Sequence, residues 1–263
     1  MTILDEIVRD KRDELVGRRR ATPQRDLERR CAGLPPARDF EEALRPGAGG
    51  VALIAEVKQA SPSRGMLARD GEFDPARLAS LYAEHGAAAI SVLTDEKYFK
   101  GSLDVLRLVR ATVAVPLLRK DFTIDEYQLW EARAAGADAA LLIVAILPPP
   151  LLRDLLDAAK GVGLAALVEV HTAAELDQAL AVGARILGIN NRNLGTFETR
   201  IETTLDLLPR IPPGPIIVSE SGFTRAADVR RVVAAGAHAV LVGEGLVTAP
   251  DVGAKVRELG LRG

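Results

Sequence analysis

Ala83-Glu-His-Gly-Ala-Ala-Ala-Ile-Ser-Val-Leu93 returns, altered, three more times: as Ala134-Ala-Gly-Ala-Asp-Ala-Ala-Leu-Leu-Ile143, as Ala181-Val-Gly-Ala-Arg-Ile-Leu-Gly-Ile189 and as Ala234-Ala-Gly-Ala-His-Ala-Val-Leu-Val242. Each copy ends a helical pattern on a glycine and then opens an apolar run. The glycines stand at 86, 136, 183 and 236, at intervals of 50, 47 and 53 residues. A glycine just past a helix suits the left-handed C′ position. An unbroken apolar run after it suits a strand buried on both faces of a parallel sheet. Fifty residues are too many for one strand–helix unit and fit two. The chain supplies the missing four strands at 51–57, 115–119, 165–169 and 215–219. Eight strands alternating with helices make a parallel α/β fold. The first strand leads into Gln59-Ala-Ser-Pro-Ser-Arg-Gly65, which is not a dinucleotide-binding glycine pattern. Closure into a (β/α)8 TIM barrel is therefore expected rather than an open doubly wound sheet.

The helices between the strands carry start signals. Asp74-Pro75 places an N-cap before a proline at the first helical position. Thr123-Ile-Asp-Glu126 and Thr172-Ala-Ala-Glu175 have the form of capping boxes, Ser102 and Thr224 open two more helices, and Pro148-Pro-Pro150 opens one that runs to about Lys160. Residues 1–50 precede the eight units. Ile3, Leu4, Ile7, Val8 and Leu15 share one face of a first helix, two shorter helical stretches follow near 23–32 and 37–44, and Arg45-Pro-Gly-Ala-Gly-Gly50 is a hinge. The expectation is a single domain over 1–263, with 1–50 as an N-terminal helical extension.

Bulk properties narrow the function classes. The 263 residues match one barrel of about 250, and 48% are hydrophobic, enough for a large core. A net charge of −2 with no basic face argues against nucleic acid as a partner. The one cysteine, Cys31, has no internal disulfide partner, which suits a reducing cytoplasm. The first residues lack a signal-peptide pattern, and Arg18-Arg-Arg20 is read as a solvated helix face. The apolar run Ala139–Leu147 is far shorter than the roughly 20 residues of a membrane helix. No membrane partner is expected.

Lysine is scarce against arginine, yet Lys58 and Lys120 close the apolar runs Val51-Ala-Leu-Ile-Ala-Glu-Val-Lys58 and Val115-Pro-Leu-Leu-Arg-Lys120. Arginine stays charged at working pH, whereas burial lowers the pKa of a lysine and lets it pass a proton. In such barrels the active site lies at the C-terminal ends of the strands. Period two puts Glu56 and Lys58 on one face, ends the third strand on Lys120, the fifth on Glu169 and the sixth on Asn190 with Arg192 beyond, and runs the seventh into Ser219-Glu-Ser-Gly222. Any one of these suits a cap or a rim charge. Six at one mouth are hard to explain structurally, because an unpaired buried charge costs several kcal/mol. Ser221-Gly-Phe after the seventh strand and Gly243-Glu-Gly245 after the eighth stand where these barrels hold phosphate. His85 and His238 fall at the far end of the barrel and His171 has no companion at ligand spacing, so no metal is expected.

Six motifs in order resemble the indole-3-glycerol phosphate synthase family. They are Ile54-Ala-Glu-Val-Lys-Gln-Ala-Ser-Pro-Ser-Arg-Gly65, Ser91-Val-Leu-Thr-Asp-Glu-Lys-Tyr-Phe-Lys-Gly-Ser102, Leu118-Arg-Lys-Asp-Phe122, Leu167-Val-Glu-Val170, Gly188-Ile-Asn-Asn-Arg-Asn-Leu194 and Val218-Ser-Glu-Ser-Gly222. The resemblance runs from the first helix to the last strand. It implies a carboxy-lyase of tryptophan biosynthesis, without cofactor or metal, that closes the ring of 1-(2-carboxyphenylamino)-1-deoxyribulose 5-phosphate with loss of CO2 and water. The expectation is a cytoplasmic monomer, with that small phosphorylated molecule as its partner.

Carried over by position, the resemblance makes Lys120 the general acid at the ketone and Glu169 its acid–base partner in the dehydration. Glu56 and Lys58 pair beside them. Lys58 meets the substrate carboxylate near Ser61 and Arg192 and is counted with the phosphate ligands. Asn190, Glu220 and Ser221 complete the polar wall, with Asn190 and Ser221 counted as catalytic and Glu220 as substrate-binding. Phe99 and Phe122 hold the anthranilate ring with apolar help from the first helix, and Gly222, Gly243 and Glu244 bind phosphate through backbone N–H. Some relatives carry a small hydroxyl residue where this chain has Gly245. Two other readings are weighed. A sugar-phosphate isomerase on the same fold needs a different acid–base set from Glu56, Lys58 and the Arg-Lys-Asp-Phe run. A non-catalytic barrel should have lost one of Glu56, Lys58, Lys120 or Glu169.

Overall fold

A computed structural model describes residues 2–45, 50–62, 64–67, 73–193 and 195–261. The eight expected strands are present as β1 (Ala52–Val57), β2 (Ala89–Leu93), β3 (Leu117–Lys120), β4 (Ala139–Ile143), β5 (Ala165–Val170), β6 (Ile186–Asn190), β7 (Ile216–Glu220) and β8 (Ala239–Val242). They form one closed barrel in which each strand pairs in parallel with its sequence neighbours and β8 pairs with β1. Followed once round, the register leaves β1 at Ala52 and returns to its line at Ala60, eight residues on. That is the shear of an eight-stranded barrel of this class.

Alternation along the strands divides the core in two. Ala52, Ile54, Leu118, Leu141, Leu167, Ile186, Val218 and Leu241 fill the lumen, while Leu53, Ala55, Val92, Leu142, Val168, Leu187 and Val240 pack outward against the helices. The four repeated glycines take φ of +95, +93, +79 and +117 at 86, 136, 183 and 236, the left-handed helix exits that the sequence calls for.

Several caps match the sequence reading and others do not. Asp74 and Ser102 accept from Arg77 N and Val105 N. Thr172 accepts from Glu175 N, but the Glu175 carboxylate returns to His171 N rather than to its cap, so the box is only half closed. Thr123 does not cap its helix. Gln128 bonds the Phe122 carbonyl and Ile124 N, which holds Thr123 in the preceding turn, and Asp125 becomes the N-cap of Glu126–Ala134. Thr224 is displaced too. The helix Ala226–Ala234 starts after Arg225 with no side-chain cap of its own, and Glu258 of the helix Val252–Leu259 accepts from Ala226 N instead.

The N-terminal segment forms α1 (Ile3–Ala21), α2 (Gln24–Ala32) and α3 (Phe40–Ala43). Pro46–Gly49 of the expected hinge lie outside the described residues. Phe40 and Leu44 join the lumen cluster, and Glu41 accepts from Arg185 just before β6, so α3 closes the N-terminal end of the barrel. At the other end α1 brings Ile3, Leu4 and Ile7 to the mouth. The face of α1 is not purely apolar, because Lys11 is as buried as Ile7 and Leu15. Its ammonium pairs with Asp95 beyond β2 at 2.9 Å, with Asp121 beyond β3 at 3.0 Å and with Glu14 at 2.8 Å. Asp121 is satisfied further by Arg119, Thr94 and its neighbour Phe122 N. Among the described residues no helix is long and apolar enough to cross a membrane.

Candidate active site

A cavity of about 370 Å³ opens at the C-terminal mouth. It is lined by every residue singled out from the sequence: Glu56, Lys58, Ser61, Phe99, Lys120, Phe122, Glu169, Asn190, Arg192, Glu220, Ser221, Gly222, Gly243 and Glu244. They arrive from seven of the eight strand ends and the loops that follow them, so barrel closure gathers residues more than a hundred positions apart.

The polar floor is a charge cluster. Lys120 Nζ lies 3.0 Å from Glu169 Oε2 and 3.4 Å from Glu220 Oε2. Asn190 Nδ2 donates to the other oxygen of Glu169 at 3.1 Å, and Asn190 Oδ1 accepts from Arg192 N at 3.0 Å. Beside it Lys58 Nζ meets Glu56 Oε1 at 2.7 Å. A β-carbon at Gly243 would collide with Glu56 Oε1 and come within 2.9 Å of Lys58 Nζ, so only glycine leaves that pair its place. Likewise Glu220 Oε1 fills the space that a side chain at Gly188 would take.

These neighbours set the protonation states. Burial alone would lower the Lys120 pKa, but Glu169, Glu220 and Glu56 hold it above the ordinary lysine value. The expectation of a lysine made acidic by burial is thus corrected for Lys120, because three carboxylates outweigh desolvation. Burial raises Glu56, yet Lys58 foremost, then Lys120 and Arg192, bring it below the usual carboxylate range. Glu220 goes the other way. Burial, only partly countered by Lys120 and reinforced by Glu169 and Glu56, pushes it up to about 8. The site therefore sets an ammonium held in its charged form beside a carboxyl group biased toward its protonated form.

The apolar wall comes from Phe99 and Phe122, whose ring centroids are 6.1 Å apart at 42°, from Leu93, Leu141 and Ile143, and from Ile3, Leu4 and Ile7 of α1. Phe197, Thr199, Phe223 and Arg64 also line the cavity and are not picked out by the sequence reading. They sit on loops, where period two gives no orientation. At the side of β7 and β8, Ser221 and Gly222 take φ of +70 and +90. Glu244 opens a four-residue helix, Glu244–Val247, and its carboxylate joins Arg64 at 2.9 Å and Arg192 at 3.3 Å. The departure at Gly245 has a local cause, since a β-carbon there would run into the Phe223 carbonyl oxygen. Among the described residues no group of His, Cys, Asp and Glu has the arrangement of a metal site.

Comparison with known proteins gives the family and the fold. The family model described as indole-3-glycerol phosphate synthase matches residues 4–259. A protein of that name from Roseiflexus castenholzii is 52% identical over 269 residues, covering 99% of each chain. Another from Chlorobium chlorochromatii is 52% identical over 247 residues, covering 94% of this chain and 95% of the relative. Among solved structures, 3-hexulose-6-phosphate synthase from Salmonella typhimurium superposes with a TM-score of 0.65 over 80% of this chain and 98% of its own, at 14% identity. Thiamine phosphate pyrophosphorylase from Pyrococcus furiosus does so with a TM-score of 0.59 over 80% and 94%, at 16% identity. At that identity the last two speak for the barrel alone.

Proposed function

The chain belongs to the indole-3-glycerol phosphate synthase family, and from that premise we propose how its cavity closes the indole ring. The enzyme is a carboxy-lyase of tryptophan biosynthesis. Its substrate, 1-(2-carboxyphenylamino)-1-deoxyribulose 5-phosphate, has a carboxylated aromatic ring at one end, a ketone in the middle and a phosphate at the other end. The cavity offers apolar, acidic–basic and glycine-rich regions in that order.

The aromatic ring lies between Phe99 and Phe122 under Ile3, Leu4 and Ile7. Lys58, Ser61 and Arg192 take its carboxylate. Gly222, Gly243 and Glu244 take the phosphate through backbone N–H, the first-turn groups of a helix having no partner within the helix. Lys58 lies beside Gly243 and adds charge there.

In the first step the ring carbon bearing the carboxylate attacks the ketone carbon, and Lys120 gives its proton to the oxygen that becomes a hydroxyl. The carbon–carboxylate bond then breaks, CO2 leaves, and its electron pair restores the aromatic ring. In the last step the hydroxyl departs as water with a proton from a second donor, and the methylene between nitrogen and the former ketone carbon gives up a proton to a base. Glu169 takes part in that exchange, held against Lys120 on one oxygen and Asn190 on the other. Glu56 holds Lys58 in place through their 2.7 Å ion pair, and Glu220 and Ser221 border the reacting carbons.

The observation that carries this reading is the partly buried Lys120 ammonium 3.0 Å from Glu169 at the cavity floor. It is tested by adding the carboxyphenylamino-deoxyribulose phosphate to pure protein in the presence of a chelator and following indole fluorescence. Stoichiometric release of CO2 with the fluorescence rise is expected. Isomerisation of the sugar without decarboxylation would overturn it.

A further inference from the structure

Ser221 is not glycine, yet it takes φ +70 at the start of the turn that leads to Gly222. An L-residue resists that region because its β-carbon crowds the following carbonyl, so neighbouring contacts must hold it there. Asn191, the residue after β6, supplies one. Its Nδ2 donates to the Ser221 carbonyl at 3.1 Å and to Ser219 Oγ at 3.1 Å, while its Oδ1 accepts from Thr204 N at 3.1 Å and Thr204 Oγ1 at 2.8 Å.

The orientation of the amide follows from these partners. Thr204 N only donates and the Ser221 carbonyl only accepts, so the oxygen faces Thr204 and the NH2 group faces Ser221. With its proton committed to Asn191, Thr204 Oγ1 accepts from Ser219 Oγ at 2.6 Å. The ring is closed: Asn191 to Ser219, Ser219 to Thr204, Thr204 back to Asn191. All three side chains are buried, so solvent does not replace a lost partner. The main chain of Asn191 also ties the end of β7 to the loop after β6. Its N–H donates to the Glu220 carbonyl and its carbonyl accepts from Arg200 N, each at 2.9 Å. Gly222 in turn sits against Thr199 of the loop after β6, where a β-carbon would approach the threonine methyl to 2.8 Å.

We propose that Asn191 is a positioning residue for the phosphate end of the substrate, fixing the Ser221–Gly222 turn through its bond to the Ser221 carbonyl. The inference rests on the reading that this turn and Gly243 receive the phosphate. Asn191 follows the inward-facing Asn190, so period two turns it to the outside of the barrel, where it touches no substrate.

The test compares Asn191→Ala and Asn191→Asp with the unaltered enzyme, with inorganic phosphate as a competitive inhibitor. Aspartate keeps the shape and the acceptor for Thr204 but loses the donor to Ser221, so it serves if the alanine variant folds poorly. Both variants are expected to raise KM for the substrate and Ki for phosphate about tenfold or more, with kcat within about threefold. Thr204→Val breaks the same ring without touching the Ser221 bond and is expected to lower Tm while leaving KM and Ki unchanged. In a Ser221→Gly background, where the left-handed conformation is unstrained, Asn191→Ala should cost less than about threefold in Ki. Unchanged KM and Ki in both Asn191 variants, or an equal rise in Thr204→Val, would overturn the positioning role alone. Failure of phosphate to compete with substrate on the unaltered enzyme would sink the phosphate reading and this inference with it.

Discussion

At the scale of the residue, Glu220 is the group whose state the sequence hides. Charges at strand ends are visible from period two, and Glu56, Lys58, Lys120 and Glu169 were all legible that way. Protonation is not legible, because it depends on neighbours from other strands: Lys120, Glu169 and Glu56, with Gly188 leaving the space. The same holds for Lys120, whose pKa rises where burial alone predicts a fall. Glu220 has a measurable consequence. Its folded pKa, near 8, lies above the ordinary carboxylate value. Its contribution to stability is therefore full at acid pH and is lost as pH rises through about 8. Melting temperatures of the unaltered protein and Glu220→Gln, recorded from pH 5 to 9, should diverge in favour of the glutamine variant as pH rises, by a few degrees. A constant difference across that range would show that Glu220 stays ionised.

At the scale of the element, α1 is placed by one buried lysine. Ile3, Leu4, Ile7 and Leu15 read as an apolar stripe, but Lys11 on the same face reads as a solvent charge until Asp95 and Asp121 are brought to it by β2 and β3. Burial alone would lower the Lys11 pKa, and Asp121 and Asp95 instead hold it above the ordinary value. Asp121 stays far below the usual carboxylate range against its own burial, through Arg119, Lys11 and Thr94. Removing Lys11 leaves Asp95 and Asp121 buried without the ammonium between them, a loss on the scale of about 3–5 kcal/mol. Lys11→Met should therefore unfold at markedly lower denaturant concentration. Because α1 carries Ile3, Leu4 and Ile7 over the cavity, its KM should rise as well. An unchanged unfolding midpoint would show that α1 does not depend on the clamp. Misread caps have a similar origin. Thr123 and Thr224 have the right residue type, but Gln128 ties up Phe122 O and Ile124 N around the first, and Glu258 takes Ala226 N in place of the second.

At the scale of the molecule, the barrel was legible because its signal is repeated. Four Gly-Ala-apolar copies at intervals near fifty residues fix eight strands, and closure then brings their ends to one mouth. The loops carry no such repetition, so Arg64, Thr199 and Phe197 enter the cavity unannounced. The ring around Asn191 was equally hidden, since each member alone looks like an ordinary buried polar group. What the fold achieves is to surround one ammonium with carboxylates that hold it in its charged form, the state that the proposed mechanism needs in a proton donor. The most direct test is a single-turnover experiment with enzyme in excess, mixing substrate rapidly with the unaltered protein and with Lys120→Met while following indole fluorescence. The variant is expected to bind substrate within about threefold of normal and to form indole at least roughly a hundredfold more slowly. Indole formation at a near-normal rate in Lys120→Met would contradict the assignment of Lys120 as the general acid.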